Sequence, residues 1–144
     1  MRALLDTSVL IGADPPPDIE AAISVASIAE LHFGVLVAAD DDERARRTAR
    51  LGAIESAFDP LPVTTEIARE WGRLSAAVRQ RGGPLRRRAV DLVIAATAKV
   101  HDVPLLTDNF ADFQIISDLV DVRSPAELRS TEPESGADSD DATE

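Results

Sequence analysis

Cysteine is absent from the 144 residues, which excludes disulfides and zinc–thiolate centres. Aromatic residues are scarce, with four Phe, one Trp and no Tyr, so the core must come from Leu, Ile, Val and Ala, within a hydrophobic content of 44%. No apolar run approaches the roughly 20 residues that span a bilayer. Residues 3–11 are too short for the apolar stretch of a signal peptide, and Asp6 interrupts them. A cytoplasmic protein with no membrane partner is therefore the expectation. The two histidines, His32 and His101, have no partnered nucleophile, which argues against a nucleophile–His–acid triad. Gly82-Gly83 lacks the spacing and the following Lys-Ser/Thr of a phosphate loop. The length suits about one domain.

Positive charge is also in short supply. The net charge of −11 argues at first sight against a nucleic-acid partner. Six of the acids, however, stand between residues 130 and 144, where there is no Lys or Arg, which leaves −5 on the remainder. Arginines cluster at Arg44, Arg46, Arg47 and Arg50, and again at Arg79, Arg81, Arg86, Arg87 and Arg88, and no acid lies between Trp71 and Val90. Acids gathered at a site with arginines on its flanks would suit an enzyme acting on a polyanion. Solvated helix faces are the plainer reading.

Arg2-Ala3-Leu4-Leu5-Asp6 reads as a buried strand closed by an acid. Asp14-Pro15-Pro16-Pro17 is a break, and Ile19 to Val25 a short apolar stretch. Ser27, with Glu30 three positions on, is a possible cap for a helix running toward Ala39. Asp40 to Glu43 suits the start of the next helix, which carries Leu51, Ile54 and Phe58. After an extended link at Pro60–Val63, Thr65 is expected to cap a helix bearing Ile67, Trp71, Leu74 and Val78. A further helix covers about Ala89 to His101. Val103–Leu106 and Gln114–Ile116 read as strands, and the chain from about Ser130 as a disordered acidic tail. The domain is thus expected at 1–129 and the tail at 130–144. Strands alternating with helices predict an α/β fold, an α/β/α sandwich around a mostly parallel sheet, with ligands bound beyond the carboxyl ends of the strands.

Several acids sit at such ends. Asp6 closes an apolar strand, Glu30 lies in a mostly apolar stretch, and Asp91 precedes Leu92-Val93-Ile94-Ala95-Ala96. Asp108 and Asp112 follow Leu105-Leu106. Each has a plain alternative: a helix cap for Asp6, a capping-box partner for Glu30, a first-turn acid for Asp91, and a turn residue for one of the last two. Together, unpaired, they would repel one another, and a divalent cation resolves that conflict. An all-oxygen set suits Mg²⁺ or Mn²⁺, which retain waters and share the phosphate oxygens of a substrate. Phosphodiester hydrolysis is the chemistry this predicts. The rivals are a phosphotransferase in which Asp6 forms an aspartyl-phosphate, disfavoured by Ser8 where a second Asp belongs, and a non-catalytic partner-binding module.

At these residues the chain resembles the PIN-domain ribonucleases, and most of all the VapC toxins of toxin–antitoxin pairs. The matching stretches are Leu4-Leu5-Asp6-Thr7-Ser8-Val9-Leu10-Ile11, Ser27-Ile28-Ala29-Glu30-Leu31-His32-Phe33-Gly34, Val90-Asp91-Leu92-Val93-Ile94-Ala95-Ala96-Thr97-Ala98 and Leu106-Thr107-Asp108-Asn109-Phe110-Ala111-Asp112-Phe113. Each alone is a weak pattern; four in order are fairly specific. The resemblance implies a Rossmann-like fold and a Mg²⁺- or Mn²⁺-dependent endoribonuclease that cuts structured RNA such as tRNA or ribosomal RNA and inhibits translation and growth. It also implies a homodimer, neutralised by a VapB-type antitoxin in a higher assembly. Asp6, Glu30 and Asp91 match the first three acidic positions, and Asp108 and Asp112 share the fourth, because Asn109 aligns where an Asp often stands. All five are the expected catalytic and metal-holding residues. Thr7 and Thr107 match hydroxyls that line such sites, and Arg86, Arg87 and Arg88 are the expected substrate contacts. The stretch from Asp6 to Glu30 is shorter than in many relatives.

Overall fold

The computed structural model describes residues 1–12 and 18–129. The proline run and the expected acidic tail lie outside the described residues. Four parallel strands form one sheet: β1 (Arg2–Leu5), β2 (Glu20–Ala22), β3 (Leu105–Leu106) and β4 (Val122–Arg123), in the order β2-β1-β3-β4. Strand alternation decides which layer each residue feeds. Leu4 and Leu105 face a core built by α4 (Thr65–Gln80) and α5 (Ala89–Val100), through Ile67, Leu74, Val78, Ile94 and Ala98. Ala3, Leu5 and Leu106 face the other side, toward Val9 of α1 (Thr7–Ile11), Leu31 of α2 (Val25–Leu36), and Leu51 and Ile54 of α3 (Asp41–Ala57). Two further short helices, α6 (Phe110–Phe113) and α7 (Pro125–Arg129), follow β3 and β4. Leu4, Leu5, Leu105 and Leu106 are fully buried, at about 1.5–3 kcal/mol each. The expected sandwich is therefore present.

Several boundaries differ from expectation. The cap of α2 is Ser24, whose Oγ accepts from Ala26 N at 3.0 Å. Ser27 is not the cap, because Ser24 is held extended against Leu61 (Val25 N to Leu61 O, 3.0 Å) and the chain turns helical directly after it. Thr64 rather than Thr65 caps α4, through Ile67 N at 3.2 Å. Asp40 caps α3 through Glu43 N at 2.8 Å, with Asp41, Asp42 and Glu43 in its first turn as expected. Residues Gln114–Ile116 form a 3-10 turn and not a strand, since Phe113 and Ile116, three apart, both enter one core; the last strand is β4. Gly82 ends α4 at φ 76°, a left-handed conformation that favours glycine. Between α4 and α5, Glu70 takes Arg73 at 2.7 Å and Lys99 at 3.2 Å. Burial acts to raise the Glu70 pKa, but these two cations outweigh it and hold the carboxyl below its ordinary value.

Candidate active site

The strand order reverses direction between β1 and β3, and the carboxyl ends of those two strands carry Asp6 and Thr107. This is the switch point at which open α/β sheets bind ligands. Asp6 is 4% exposed. Although it precedes α1, its side chain makes no capping bond. Its Oδ2 instead accepts from Ser8 Oγ at 2.7 Å and from Thr107 Oγ1 at 2.9 Å. Those two hydroxyls lie 3.3 Å apart, but each has its single proton on Asp6, and each accepts a backbone N–H: Asp108 N for Ser8 and Asn109 N for Thr107. Two donors on one oxygen satisfy a buried carboxylate and fix the way it turns. Among the described residues, Asp6 Oδ1 makes no hydrogen bond.

Glu30 projects from α2 toward α1, where the Thr7 hydroxyl donates to its Oε1 at 2.8 Å; Thr7 Oγ1 also lies 3.0 Å from the buried Ser27 Oγ. With Ser24 as the true cap, Glu30 has no capping-box role. Burial raises the pKa of Glu30; the Thr7 hydroxyl offsets this in part, and the charge of Asp6 adds to it. Asp91, in the first turn of α5, is pushed up to about 6, first by burial and then by Asp6 and Glu30, with Arg88 opposing and Asp112 adding. The structure thus brings Asp6, Glu30 and Asp112 close enough to act on Asp91, and Asp6 close enough to act on Glu30.

The two late acids separate. Asp112 lines a cleft of about 250 Å³ with Pro84, Arg87, Arg88 and Asp91. Arg88 ties to it twice, through the Asp112 carbonyl oxygen and at 3.1 Å through its carboxylate. Asp108 is exposed and turns toward the end of α1, where its Oδ2 would stand 2.8 Å from a Cβ on Gly12. The carboxylates that raise the pKa of Asp91 are Asp6, Glu30 and Asp112.

Three expected substrate contacts are placed otherwise. Thr7 and Thr107 are buried, with their hydroxyls on Glu30 and Asp6, so they stand behind the carboxylates rather than before a ligand. Arg88 is held by Asp112. Arg86 and Arg87 are exposed on the 3-10 turn Arg86–Arg88 that leads into α5. Among the described residues no three acids close into a ready-made ligand cage. Ser8 is the functional residue that sequence reasoning missed; its signal is a hydroxyl two residues beyond a strand-ending Asp.

Set beside known proteins, residues 3–117 match the PIN domain. Ribonuclease VapC5 of Mycobacterium tuberculosis is 38% identical over 117 residues, covering 75% of this chain and 84% of that protein. Ribonuclease VapC4 of the same organism is 35% identical over 115 residues, covering 75% and 86%. The crystal structure of VapBC-5 from Mycobacterium tuberculosis, a member of the VapBC family of toxin–antitoxin systems, aligns with TM-score 0.72 at 35% identity, over 85% of this chain and 96% of that one. The chain belongs to the PIN-domain family, as the four motifs implied.

Proposed function

We propose that this chain is a Mg²⁺- or Mn²⁺-dependent endoribonuclease and the toxin half of a toxin–antitoxin pair. One observation carries the reading: Asp6 just after β1, Glu30 of α2 and Asp112 of α6 all lie close enough to Asp91 of α5 to raise its pKa, and Arg88 does not offset them. The names of its relatives support RNA as the substrate and a VapB-type antitoxin as the partner. Phe33, Leu36 and Val37, 65%, 65% and 55% exposed at the end of α2, support a protein contact there, with an antitoxin or a second copy of the chain.

The donor set fits a hard divalent ion that keeps several waters, so that few direct protein ligands suffice. Asp6, Asp91 and Asp112 would hold it, with Asp6 offering Oδ1 because Oδ2 is turned toward Ser8 and Thr107. When bound, the ion supplies Lewis-acid polarisation of a phosphoryl oxygen and a lowered pKa for nearby water. Glu30, oriented by Thr7 and raised in pKa, accepts the proton of the attacking water. Arg86 and Arg87 contact phosphates beside the Asp91 cleft, which positions the strand without reading its sequence. The target is structured cellular RNA, tRNA or ribosomal RNA, cut in a loop whose bases can be splayed out, with translation and growth halted. The setting is cytoplasmic, and no helix of the described residues is long and apolar enough to cross a membrane.

The test is inducible expression of the wild type and of Asp6→Asn, with RNA 5′ ends mapped in both and cleavage repeated in vitro with EDTA. Defined new ends are expected from the wild type alone, abolished by EDTA and restored by Mn²⁺, with Asp6→Asn slower by roughly 10²–10³-fold. Equal cleavage by the variant would remove this site from the reaction.

A further inference from the structure

The arginines of α3 stand apart from the site as described above, yet they adjoin it. Of the described Lys and Arg side chains, Arg2, Arg44, Arg47, Arg73, Arg81, Arg88, Lys99 and Arg123 each have an acidic partner. Arg46, Arg50, Arg69, Arg79, Arg86 and Arg87 have none among the described residues. Arg46 and Arg50 are four residues apart, on one face of α3. Like charges at that spacing disfavour a helix, and among the described residues neither has an ion-pair partner of its own.

Their position is fixed by the residue between them. Arg47 pairs with Glu43 and donates through Nη1 to Gly34 O at 2.6 Å, which pins α3 against α2. Two clefts result. One, of about 230 Å³, is lined by Ile11, Glu30, Leu31, Gly34, Arg47 and Arg50. The next, of about 310 Å³, is lined by Glu43, Arg46, Arg47 and Arg50, so the two adjoin through Arg47 and Arg50. Neither shares a residue with the cleft of Arg87, Asp91 and Asp112. Basic clefts therefore open on the acid cluster separately at Glu30 and at Asp91. An unpaired guanidinium in the same small cleft as Glu30 matches a phosphate diester, whose oxygens it meets in a bidentate fork.

Resting on the ribonuclease reading, we propose that Arg46 and Arg50 form a second phosphate-binding arm, holding the ribose-phosphate backbone of the RNA on the Glu30 side of the scissile bond while Arg86 and Arg87 hold it on the Asp91 side. The strand then crosses the acid cluster with a cationic grip on each side. The cationic grip also explains how a chain of net charge −11 holds a polyanion: attraction is local and the acids of the site lie between the grips.

The experiment measures fluorescence anisotropy of a labelled single-stranded RNA of mixed sequence, roughly 20 nucleotides long, on the full chain carrying Asp91→Asn so that nothing is cut. Arg46→Ala/Arg50→Ala is compared with Arg69→Ala, an unpaired arginine on another helix. The double variant should weaken binding about tenfold at low salt and flatten the slope of log affinity against log salt by about 1.4, the amount for two single-strand phosphate contacts. In a chain with Asp91 restored, KM should rise and kcat hold. A change below about twofold, or one matched by Arg69→Ala, overturns the arm. Undiminished RNA binding with weakened antitoxin binding overturns it too, and gives the surface to the protein partner. If the wild type cuts no RNA while the double variant still loses affinity, the arm stands and the cleavage reading falls. Arg46→Gln/Arg50→Gln, which keeps the aliphatic stems, repeats the comparison should the alanine variant lose its fold.

Discussion

Asp91→Asn is expected to make the protein more stable as it makes it inactive, and the sign of that effect depends on pH. The Asp91 pKa of about 6 lies well above its ordinary 3.8, because burial and the charges of Asp6, Glu30 and Asp112 disfavour the ionised form more than Arg88 favours it. The native state therefore holds this proton more tightly than the unfolded chain does. Stability falls as pH rises from about 4 to about 6, and above that the full penalty persists. The distance from 3.8 to about 6 corresponds to about 3 kcal/mol at neutral pH; screening at a partly solvated carboxyl reduces the expected gain on neutralisation to about 1–2 kcal/mol. For a chain of this size that is about 3–6 °C in Tm. Asparagine has the same shape and no charge, so the variant should gain this amount at pH 7.5 and almost none near pH 4. Magnesium supplies the complementary arm of the assay. Bound to the native state alone, it should raise the wild-type Tm by up to about 2.7 kcal/mol equivalent at a hundredfold excess over Kd, and raise the variant's by much less. Thermal and urea unfolding across pH, with and without Mg²⁺, reads both. A variant less stable than wild type at pH 7.5, or a gain that is the same at both pH values, would refute the account of mutual repulsion.

Thr107→Val should cost about 1.5–3 kcal/mol in urea unfolding, because a buried carboxylate loses one of its two hydroxyl donors and Asn109 N loses its acceptor. Thr107→Ser should restore most of that, and a loss that Ser fails to rescue would point to the methyl group instead. In RNA cleavage, Asp112→Asn should lower the rate by about 10–100-fold, whereas Asp108→Asn should stay within about threefold. The opposite ranking would make Asp108 the fourth acid and the Asp112–Arg88 pair a structural tie.

What the sequence made legible follows from how far apart the interacting residues lie along the chain. Asp6 announces itself locally, an acid ending a run of three buried residues, and the amphipathic spacing of Ile67, Leu74 and Val78 places α4 without any knowledge of its partners. The switch-point location follows from alternation of strands and helices alone. The cap of α2 is different. Ser24 and Ser27 are both acceptable caps in sequence, and the choice is made by a bridge from Ser24 to Leu61, which no local pattern contains. The same holds for the fourth acid. Asp108 and Asp112 are equivalent as turn and first-turn residues, and they are separated only by where Arg88, 24 residues earlier, and Gly12, at the far end of α1, stand. The clamp on Asp6 shows why this matters for chemistry. One of its donors, Ser8, is two residues away and the other, Thr107, is 101 residues away, brought alongside because β1 and β3 pair in register Leu5 to Leu106. The buried carboxylate has both donors only when that register is kept, so the sheet register itself sets which way Asp6 turns and which of its oxygens stays open.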